Sequence, residues 1–290
     1  MDDAPLLTVE DLHVSFDTPK GVVDAVRGVS FELGREKLGI VGESGSGKSQ
    51  TGRALLGLLA ARGHARAKRV EFDGVDLLKA DERTMRAIRG DRISMIMQDP
   101  KYSLNPVMTV GKQIEEAYLV HTKASRAQAR TRTLAMLEAV RIRDPRRVYG
   151  AYPHEVSGGM GQRIMIAMMM IPQPDIIIAD EPTSALDVTV QLQVLAILDD
   201  MVSQHGMGLI FISHDLNLVA SFCDRVLIMY AGQVMEVRKA DDLHNAEHPY
   251  TRGLMSCLPK VGDRGRELAV LTRDAAWTDY QEGSGEGSGD

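Results

Sequence analysis

One stretch of the chain has the residue types and the spacing that hold a polyphosphate. Residues 42–49 read GESGSGKS, a glycine-rich loop that ends in a lysine and a hydroxyl. Glycines let backbone N–H groups turn toward phosphate oxygens, and a helix that begins there adds its positive end. The Lys48 amine suits the β- and γ-phosphates, and the Ser49 hydroxyl suits Mg²⁺. We therefore predict a nucleotide site made by Gly42, Glu43, Ser44, Gly45, Ser46, Gly47, Lys48, Ser49 and Gln50.

Two adjacent carboxylates follow an apolar run further along the chain. Residues 176–181 read IIIADE, so a buried strand delivers Asp180 at its carboxyl end, where open α/β sheets bind ligands. Asp180 is expected to hold Mg²⁺ through water, and Glu181 to polarise the attacking water. Phosphoryl transfer requires positioning and charge compensation, and these two motifs together supply both.

Buried strands and helices alternate along the chain in an order that can position these groups. Residues 37–43 read as an apolar strand before the glycine loop, and residues 208–215 as another after the carboxylates. Residues 174–182 are bounded by prolines and contain the unbroken apolar run 176–179, as expected for a strand covered on both faces. This alternation predicts α/β architecture.

The remaining elements are predicted from local patterns. Residues 6–16 partly alternate like a half-buried strand, residues 22–33 read as one or two strands, and residues 224–238 as a hairpin. Residues 109–140 have a helical pattern, in which Ser125 precedes the longer stretch. Asp187 is expected to cap a helix with four apolar side chains on one face. The hairpin turns at Ala231 and Gly232, and the helical face consists of Leu192, Leu195, Leu198 and Val202.

A second glycine segment raises a question about the first. Residues 156–163 read VSGGMGQR, a serine and a glycine pair that open a helix-like run. Such a segment presents backbone N–H groups and a helix N-terminus to anionic oxygens. The chain therefore has two phosphate grips more than a hundred residues apart. The alternative interpretation of the second segment is structural, as a tightly packed helix entry.

The order of the motifs resembles that of the ATP-binding subunit of an ABC transporter. GESGSGKS, MIMQDP, VSGGMGQR, IIIADEP, SALD and FISHD follow one another between about residues 6 and 259. The resemblance implies a P-loop NTPase core of ABC type, with an N-terminal antiparallel β subdomain and an α-helical signature subdomain. It implies an ATPase domain over residues 1–260 with the helical subdomain at about 100–170. Residues 261–290 are then a C-terminal extension, whose apolar-free tail, 281–290, is expected to be disordered.

In that family two subunits dimerise head to tail, and the second grip acts on the partner's nucleotide. By resemblance, Ser157, Gly158 and Gly159 reach the γ-phosphate of ATP held by the other subunit's P-loop. Gly161 stands where the family often has an arginine. The SGG residues are intact, but the contacts that the arginine makes from the signature helix are not implied for this chain. Further roles are also implied by position in the family pattern. Gln98 links Mg²⁺ and the attacking water to the transmembrane partner, His214 contacts the γ-phosphate, and Asp187 communicates across the dimer. Phe16 stacks on adenine, with a place in the core as the alternative interpretation.

Several segments are similar to the peptide and nickel importer branch of the family. These are residues 98–114, residues 151–160, residues 180–191 and EHPYTRGLMSCLP at residues 247–259. The branch implies a bacterial importer of peptides or a related small solute, with a nickel or metal-complex importer as the alternative. Many peptide-importing members carry a C-terminal cysteine cluster, whereas this sequence has no cysteine after Cys257, which shifts weight toward nickel-type members.

The branch also implies partners and a location. The expected partners are a second ATPase subunit, two permeases and an extracytoplasmic solute-binding protein. The branch favours a paralogue as the second ATPase subunit, and a copy of this chain is the alternative. The chain is then peripheral, on the cytoplasmic face of the bacterial inner membrane, with ATP and Mg²⁺ as ligands. A soluble ABC ATPase of translation or DNA repair, a regulatory module that binds ATP without turnover, and exporter-type coupling are the other classes considered.

Composition agrees with these expectations. The net charge of −6 gives no sign of a nucleic-acid partner, and two cysteines indicate a reducing compartment. The N-terminus lacks a signal-peptide pattern, and residues 164–172, the longest apolar run, are too short to span a bilayer. The methionines of residues 165–170 are expected to pack in the core, because thioethers are poor nickel ligands. His244 and His248 near Cys257 match no strong metal-binding template.

Overall fold

A six-stranded sheet carries the loops of interest in the computed structural model, which describes residues 4–184, 186–257 and 277. Five strands are parallel, so their carboxyl ends lie along the same side of the sheet. The sixth strand is the outermost one, and it pairs antiparallel with its neighbour. In spatial order the strands are β11 (Gln233–Lys239), β10 (Arg225–Tyr230), β3 (Lys37–Gly42), β9 (Gly208–Ser213), β8 (Ile176–Asp180) and β7 (Ile93–Ile96).

A second, antiparallel sheet is built mostly from the N-terminal part of the chain, as the resemblance predicts. Its long hairpin pairs Leu7 with Leu33 at one end and Thr18 with Gly21 at the other. Residues 22–33 therefore belong to one strand, not two. The strands are β1 (Leu7–Thr18), β2 (Gly21–Leu33), β4 (Gly63–Arg66), β5 (Arg69–Phe72) and β6 (Val75–Asp76).

The parallel sheet is covered on both faces, which explains why its strands are apolar throughout. Ile176 and Ile178 of β8 pack into the core shared with the antiparallel sheet. Ile177, which points the other way, packs into a second core made with helices. Successive residues of a strand face opposite sides, so an unbroken isoleucine run fits a sheet with two buried faces.

Five of the helices follow one another between β7 and β8 without an intervening strand, and they form the helical subdomain that the resemblance implies. The other helices alternate with strands along the chain. The subdomain boundaries remain a prediction. The helices are α1 (Lys48–Leu55), α2 (Glu82–Ile88), α3 (Pro100–Ser103), α4 (Val110–Leu119), α5 (Arg126–Ala139), α6 (Pro145–Gly150), α7 (Gly158–Met170), α8 (Val188–His205), α9 (Leu216–Phe222) and α10 (Pro249–Ser256); short 3₁₀ turns lie at Pro153–Glu155 and Ala240–Asn245.

Several local predictions are confirmed by side-chain and backbone geometry. Ser125 and Gln128 form a reciprocal capping box at the start of α5. Asp187 caps α8 and accepts a hydrogen bond from the Val190 amide. The β10–β11 turn has positive φ at Ala231 and Gly232 (45° and 85°), as a tight hairpin requires.

The predicted apolar face of α8 is wrong at its first member. Leu195, Leu198 and Val202 are buried, whereas the Leu192 side chain is 61% exposed. Periodicity places all four side chains on one side of the helix, but the core reaches that side only from Val194 onward. The first turns of α8 therefore project beyond the core.

The described residues also bear on the tail, on membrane crossing and on the methionines. The predicted disordered tail, residues 281–290, lies outside the described residues. Within the described part of the chain no helix combines the length and apolar character needed to cross a membrane. Met165 and Met170 are fully buried in the core, as expected.

Candidate active site

The glycine loop between β3 and α1 has a backbone that only glycine accommodates well. Gly45 and Gly47 have positive φ angles of 83° and 95°. A Cβ atom built on Gly47 lies 2.3 Å from the carbonyl oxygen of Ala25, and one on Gly42 lies 2.1 Å from that of Met229. The loop is therefore pressed against neighbouring backbone. Its N–H groups and the N-terminus of α1 form a cradle for an anion.

The lysine of the loop is buried and is held by backbone carbonyls. The Lys48 amine donates to the carbonyl oxygens of Gly42 at 2.7 Å and Glu43 at 2.8 Å, and its nitrogen lies 3.5 Å from the Ser46 hydroxyl. Burial lowers the pKa of Lys48, and the nearby carboxylate of Glu181 opposes that shift. The structure thus places an amine in the loop, in an environment that favours an additional negative charge.

Ser49 and Asp180 are brought together across the sheet edge, as the motifs predict. The Ser49 hydroxyl donates to Asp180 Oδ1 at 2.6 Å, and an Arg53 nitrogen lies 3.8 Å from Oδ2. Burial raises the pKa of the Asp180 carboxyl, with the Ser49 hydrogen bond acting against it. A hydroxyl and a carboxylate are oxygen ligands of the kind that Mg²⁺ prefers. The residues present therefore fit the expected metal.

Glu181 lies where loops from three strands converge. The Gln98 amide nitrogen donates to Glu181 Oε2 at 3.3 Å, and His214 Nδ1 lies 3.4 Å from Oε1. The Glu181 backbone has a φ of 47°, in the left-handed region, and its N–H donates to Ile212 O. Such strain in a non-glycine residue is characteristic of functional sites. Of the three side chains predicted as catalytic, Gln98 and His214 thus each contact the third, Glu181.

The glycine loop, Gln98 and Glu181 border one cavity of about 430 Å³, within the size range of ligand sites, whereas Asp180 and His214 are not among the residues that line it. Phe16 on β1 is half-buried and forms part of its wall, beside the glycine loop. A flat aromatic surface next to a phosphate cradle can stack on a base. The cavity is lined by Phe16, Ala25, Ser44, Gly45, Gly47, Lys48, Ser49, Gln50, Gln98 and Glu181.

The second glycine segment begins a helix and has one open face. Ser157 caps α7, and its hydroxyl accepts a hydrogen bond from the Met160 amide at 3.4 Å. A Cβ atom on Gly158 meets nothing within 4 Å, whereas one on Gly159 lies 2.7 Å from Val190 Cγ1. Packing against α8 therefore accounts for the glycine at 159. No described part of the chain accounts for the glycine at 158.

The glycine loop at residues 42–49 and the second glycine segment at residues 156–163 line different cavities in the part of the chain that the structure describes. Ser157 and Gly158 line a separate cavity of about 490 Å³ with Leu104 and Pro153. Gln98 borders both cavities and is the residue that connects them. Asp187 is linked to the second glycine segment only through Val190. The Val190 amide donates to the Asp187 carboxylate, and the Val190 side chain lies next to Gly159.

Two contacts at the site were not predicted from the sequence. Arg53 follows the glycine loop by one helical turn and approaches Asp180. Tyr250, fully buried on α10, accepts a hydrogen bond from the Glu43 amide at 3.4 Å. Tyr250 lies in the segment EHPY, which in the sequence indicated only a similarity to one branch of a family. That similarity did not predict a contact between Tyr250 and the glycine loop. His248 in that segment caps α10 through Nδ1, which explains its burial without a metal.

The chain is similar to known proteins over most of its length. The family profile described as ABC transporter matches residues 26–184. The oligopeptide transport ATP-binding protein OppD of Salmonella typhimurium is 47% identical over 92% of this chain and 80% of its own length. The dipeptide transport ATP-binding protein DppD of Bacillus subtilis is 48% identical with the same coverage. Among solved structures, the post-hydrolysis dimer of the ATP-binding cassette MJ0796 with ADP and Pi has a TM-score of 0.71 at 25% identity, and covers 81% of this chain and 98% of that one.

Proposed function

This chain belongs to the ABC transporter family, and we propose that it is the ATP-hydrolysing subunit of a bacterial peptide importer. It is an ATPase of the ABC type. Two relatives at 47% and 48% identity are named as oligopeptide and dipeptide transport proteins, which supports peptide rather than nickel cargo. The single observation that carries the mechanism is the separation of the two phosphate grips into two cavities.

That separation supports action between subunits. We infer that the P-loop of one subunit holds ATP while Ser157, Gly158 and Gly159 of a second subunit close over its γ-phosphate. The open space at Gly158 agrees with this arrangement, because an incoming phosphate can approach the backbone there. The related MJ0796 cassette is dimeric in its solved structure. Loss of the γ-phosphate then removes contacts that exist only in the closed pair, so hydrolysis separates the subunits.

Within each site the roles follow from the contacts. Glu181 is the base that accepts a proton from the attacking water, and Gln98 and His214 orient its carboxylate. Lys48 and the loop N–H groups hold the phosphates, and Phe16 stacks on the base. Ser49, Asp180 and Gln98 would hold Mg²⁺, which supplies charge compensation to the phosphate oxygens when it is bound. We propose that His214 also contacts the γ-phosphate.

The partners follow from the same proposal. A paralogous ATPase, or a second copy of this chain, completes the two sites, and two permeases supply the membrane-spanning part. An extracytoplasmic solute-binding protein delivers cargo to the permeases. The chain then works as a peripheral subunit on the cytoplasmic face of the inner membrane. Proteins named as components of peptide transport support this assembly.

The test is the Glu181→Gln variant in the assembled importer. Glutamine keeps the shape and the contacts with Gln98, but it cannot accept a proton. We expect unchanged ATP affinity, MgATP-dependent pairing of the ATPase subunits, and hydrolysis reduced by about 10²- to 10⁴-fold. Light scattering measures the pairing, and phosphate release measures the turnover. Glu138→Gln, an exposed change on α5, serves as the control, and wild-type turnover in Glu181→Gln would refute the proposed base.

A further inference from the structure

A third cavity, of about 290 Å³, has four arginines among its lining residues and shares none of its lining with the cavity at the glycine loop. Two of its lining residues, Met160 and Arg163, belong to the second glycine segment. It lies between the segment that ends α5, helix α6, the signature helix α7 and α8. Met160 and Val148 contribute apolar wall to it. Its charged lining consists of Arg141, Arg143, Arg147, Arg163 and Asp144.

The carboxylates near this cavity do not balance its arginines. Arg141 pairs with Asp200 at 2.6 Å, and an Arg147 nitrogen lies 4.0 Å from Asp144. Arg143 has no ion pair or hydrogen bond with any residue in the described part of the chain. Four guanidinium groups thus face two carboxylates, which leaves an excess of two positive charges. A concave surface with such an excess concentrates anions from solution.

One of the four arginines is fixed in place by the backbone. Arg163 Nε donates to Gly159 O at 3.2 Å, and Nη1 donates to Arg141 O at 3.0 Å. The Arg141 backbone has a φ of 61°, in the left-handed region, where α5 gives way to the segment before α6. Burial lowers the pKa of Arg163, and the charge of Arg143 lowers it further. The guanidinium groups of Arg143 and Arg163 therefore repel each other, and an anion bound between them would relieve that repulsion.

We propose that this cavity is an anion site that binds a phosphate-bearing group through Arg143, Arg147 and Arg163. Guanidinium groups present paired N–H donors in a plane, which match the oxygens of a phosphate and give charge-assisted hydrogen bonds. The ligand class is a phosphate anion, free in solution or carried by a lipid headgroup. Because Arg163 also holds the Gly159 carbonyl, an anion bound here contacts a residue attached to the signature segment.

This site is separate from the ATP site of the proposed function. None of its lining residues borders the cavity at the glycine loop or contacts Glu181. The experiment below saturates the P-loop with MgADP, so a negative result removes the anion site and leaves the ATPase assignment intact.

The test compares the wild type, one double variant and one single variant, each saturated with MgADP. Arg143→Ala combined with Arg147→Ala removes two arginines of the cavity. Arg146→Ala is the control: Arg146 is exposed and lies on α6 beside Arg147, but it does not line the cavity. Calorimetric titration with inorganic pyrophosphate measures the free-phosphate source. Flotation with vesicles of phosphatidylglycerol in phosphatidylcholine, against phosphatidylcholine alone, measures the lipid source.

We expect the wild type and Arg146→Ala to bind at least one of the two probes. The double variant should bind that probe at least about tenfold more weakly, since charge-assisted hydrogen bonds are lost. Pyrophosphate binding alone identifies a free anion, and binding to phosphatidylglycerol vesicles identifies a headgroup. The proposal is wrong if the wild type binds neither probe, or if the double variant and Arg146→Ala lose binding equally. Circular dichroism of the double variant establishes that it is folded.

Discussion

Alanine at Gly158 tests whether the signature segment serves a nucleotide outside its own chain. Gly158 is the first residue of α7, it is exposed, and an added Cβ meets nothing within 4 Å. The residue therefore has no packing reason to be glycine within the described chain. If the proposed dimer is correct, the added methyl group stands between the backbone and the γ-phosphate of the partner's ATP.

The magnitudes separate folding from function. Replacement of glycine by alanine in a helix gains up to about 1 kcal/mol, so the Gly158→Ala chain should be as stable as wild type or slightly more stable. ATP affinity of the isolated chain should be unchanged, because Gly158 does not line the cavity at the glycine loop. Turnover in the assembled complex should fall by about 100-fold, the usual cost of losing one backbone donor to a developing charge.

Two neighbouring glycines are matched controls for this experiment. A Cβ on Gly161 lies 3.7 Å from Pro100, an ordinary contact, so Gly161→Ala should keep both stability and turnover. A Cβ on Gly159 lies 2.7 Å from Val190 Cγ1, so Gly159→Ala should lose about 1–3 kcal/mol of stability. Urea unfolding gives the stabilities, and phosphate release gives the turnover. Wild-type turnover in Gly158→Ala would contradict the proposed action between subunits.

Three further predictions concern the nucleotide site. Lys48→Ala should weaken ATP binding, measured by fluorescence of a labelled ATP analogue, and intact affinity would contradict the assignment of the loop. Burial raises the pKa of Asp180, so its ionised form destabilises the nucleotide-free fold as the pH rises above the ordinary carboxyl value of about 3.9. Asp180→Asn should therefore raise the melting temperature at pH 7, lose that advantage below about pH 4, and abolish the Mg²⁺ dependence of ATP binding; a lower melting temperature at pH 7 would refute this reasoning. Tyr250→Phe removes the acceptor of the Glu43 amide and should weaken ATP binding about two- to tenfold, and a variant that binds like wild type would show that this contact does not position the loop.

Local sequence pattern was sufficient for the parts of the site that are local. The strand, glycine loop and helix around Lys48 follow one another directly, and so do the strand and carboxylates at Asp180. Parallel pairing of β3, β9 and β8 then brings their ends to one edge, which explains the Ser49–Asp180 contact. The cap at Asp187 was likewise predicted, because a cap depends on neighbours within one turn.

The contacts that sequence did not predict join distant parts of the chain. Leu192 has the spacing of a core residue, but only the packed structure reveals that the core begins two residues later. Tyr250 reaches the Glu43 amide from 207 residues away, and no local pattern specifies that contact. The family resemblance, not the spacing of residues, assigned roles to Gln98 and His214, and the structure places both against Glu181.

Under the proposed mechanism, the division of the two glycine segments between cavities means that a single chain cannot complete the site for hydrolysis. If Ser157 and the P-loop faced one cavity in the same chain, a lone subunit would hold the whole triphosphate. Here Ser157 lies with the residues that follow Gln98, while Gln98 itself contacts the catalytic carboxylate of Glu181. In the proposed mechanism, a movement of the helical subdomain against the sheet would therefore change both the surface offered to a partner and the contacts of Glu181. It follows from the proposed mechanism that pairing of subunits and activation of Glu181 occur together, so that ATP is hydrolysed only when the transporter is assembled.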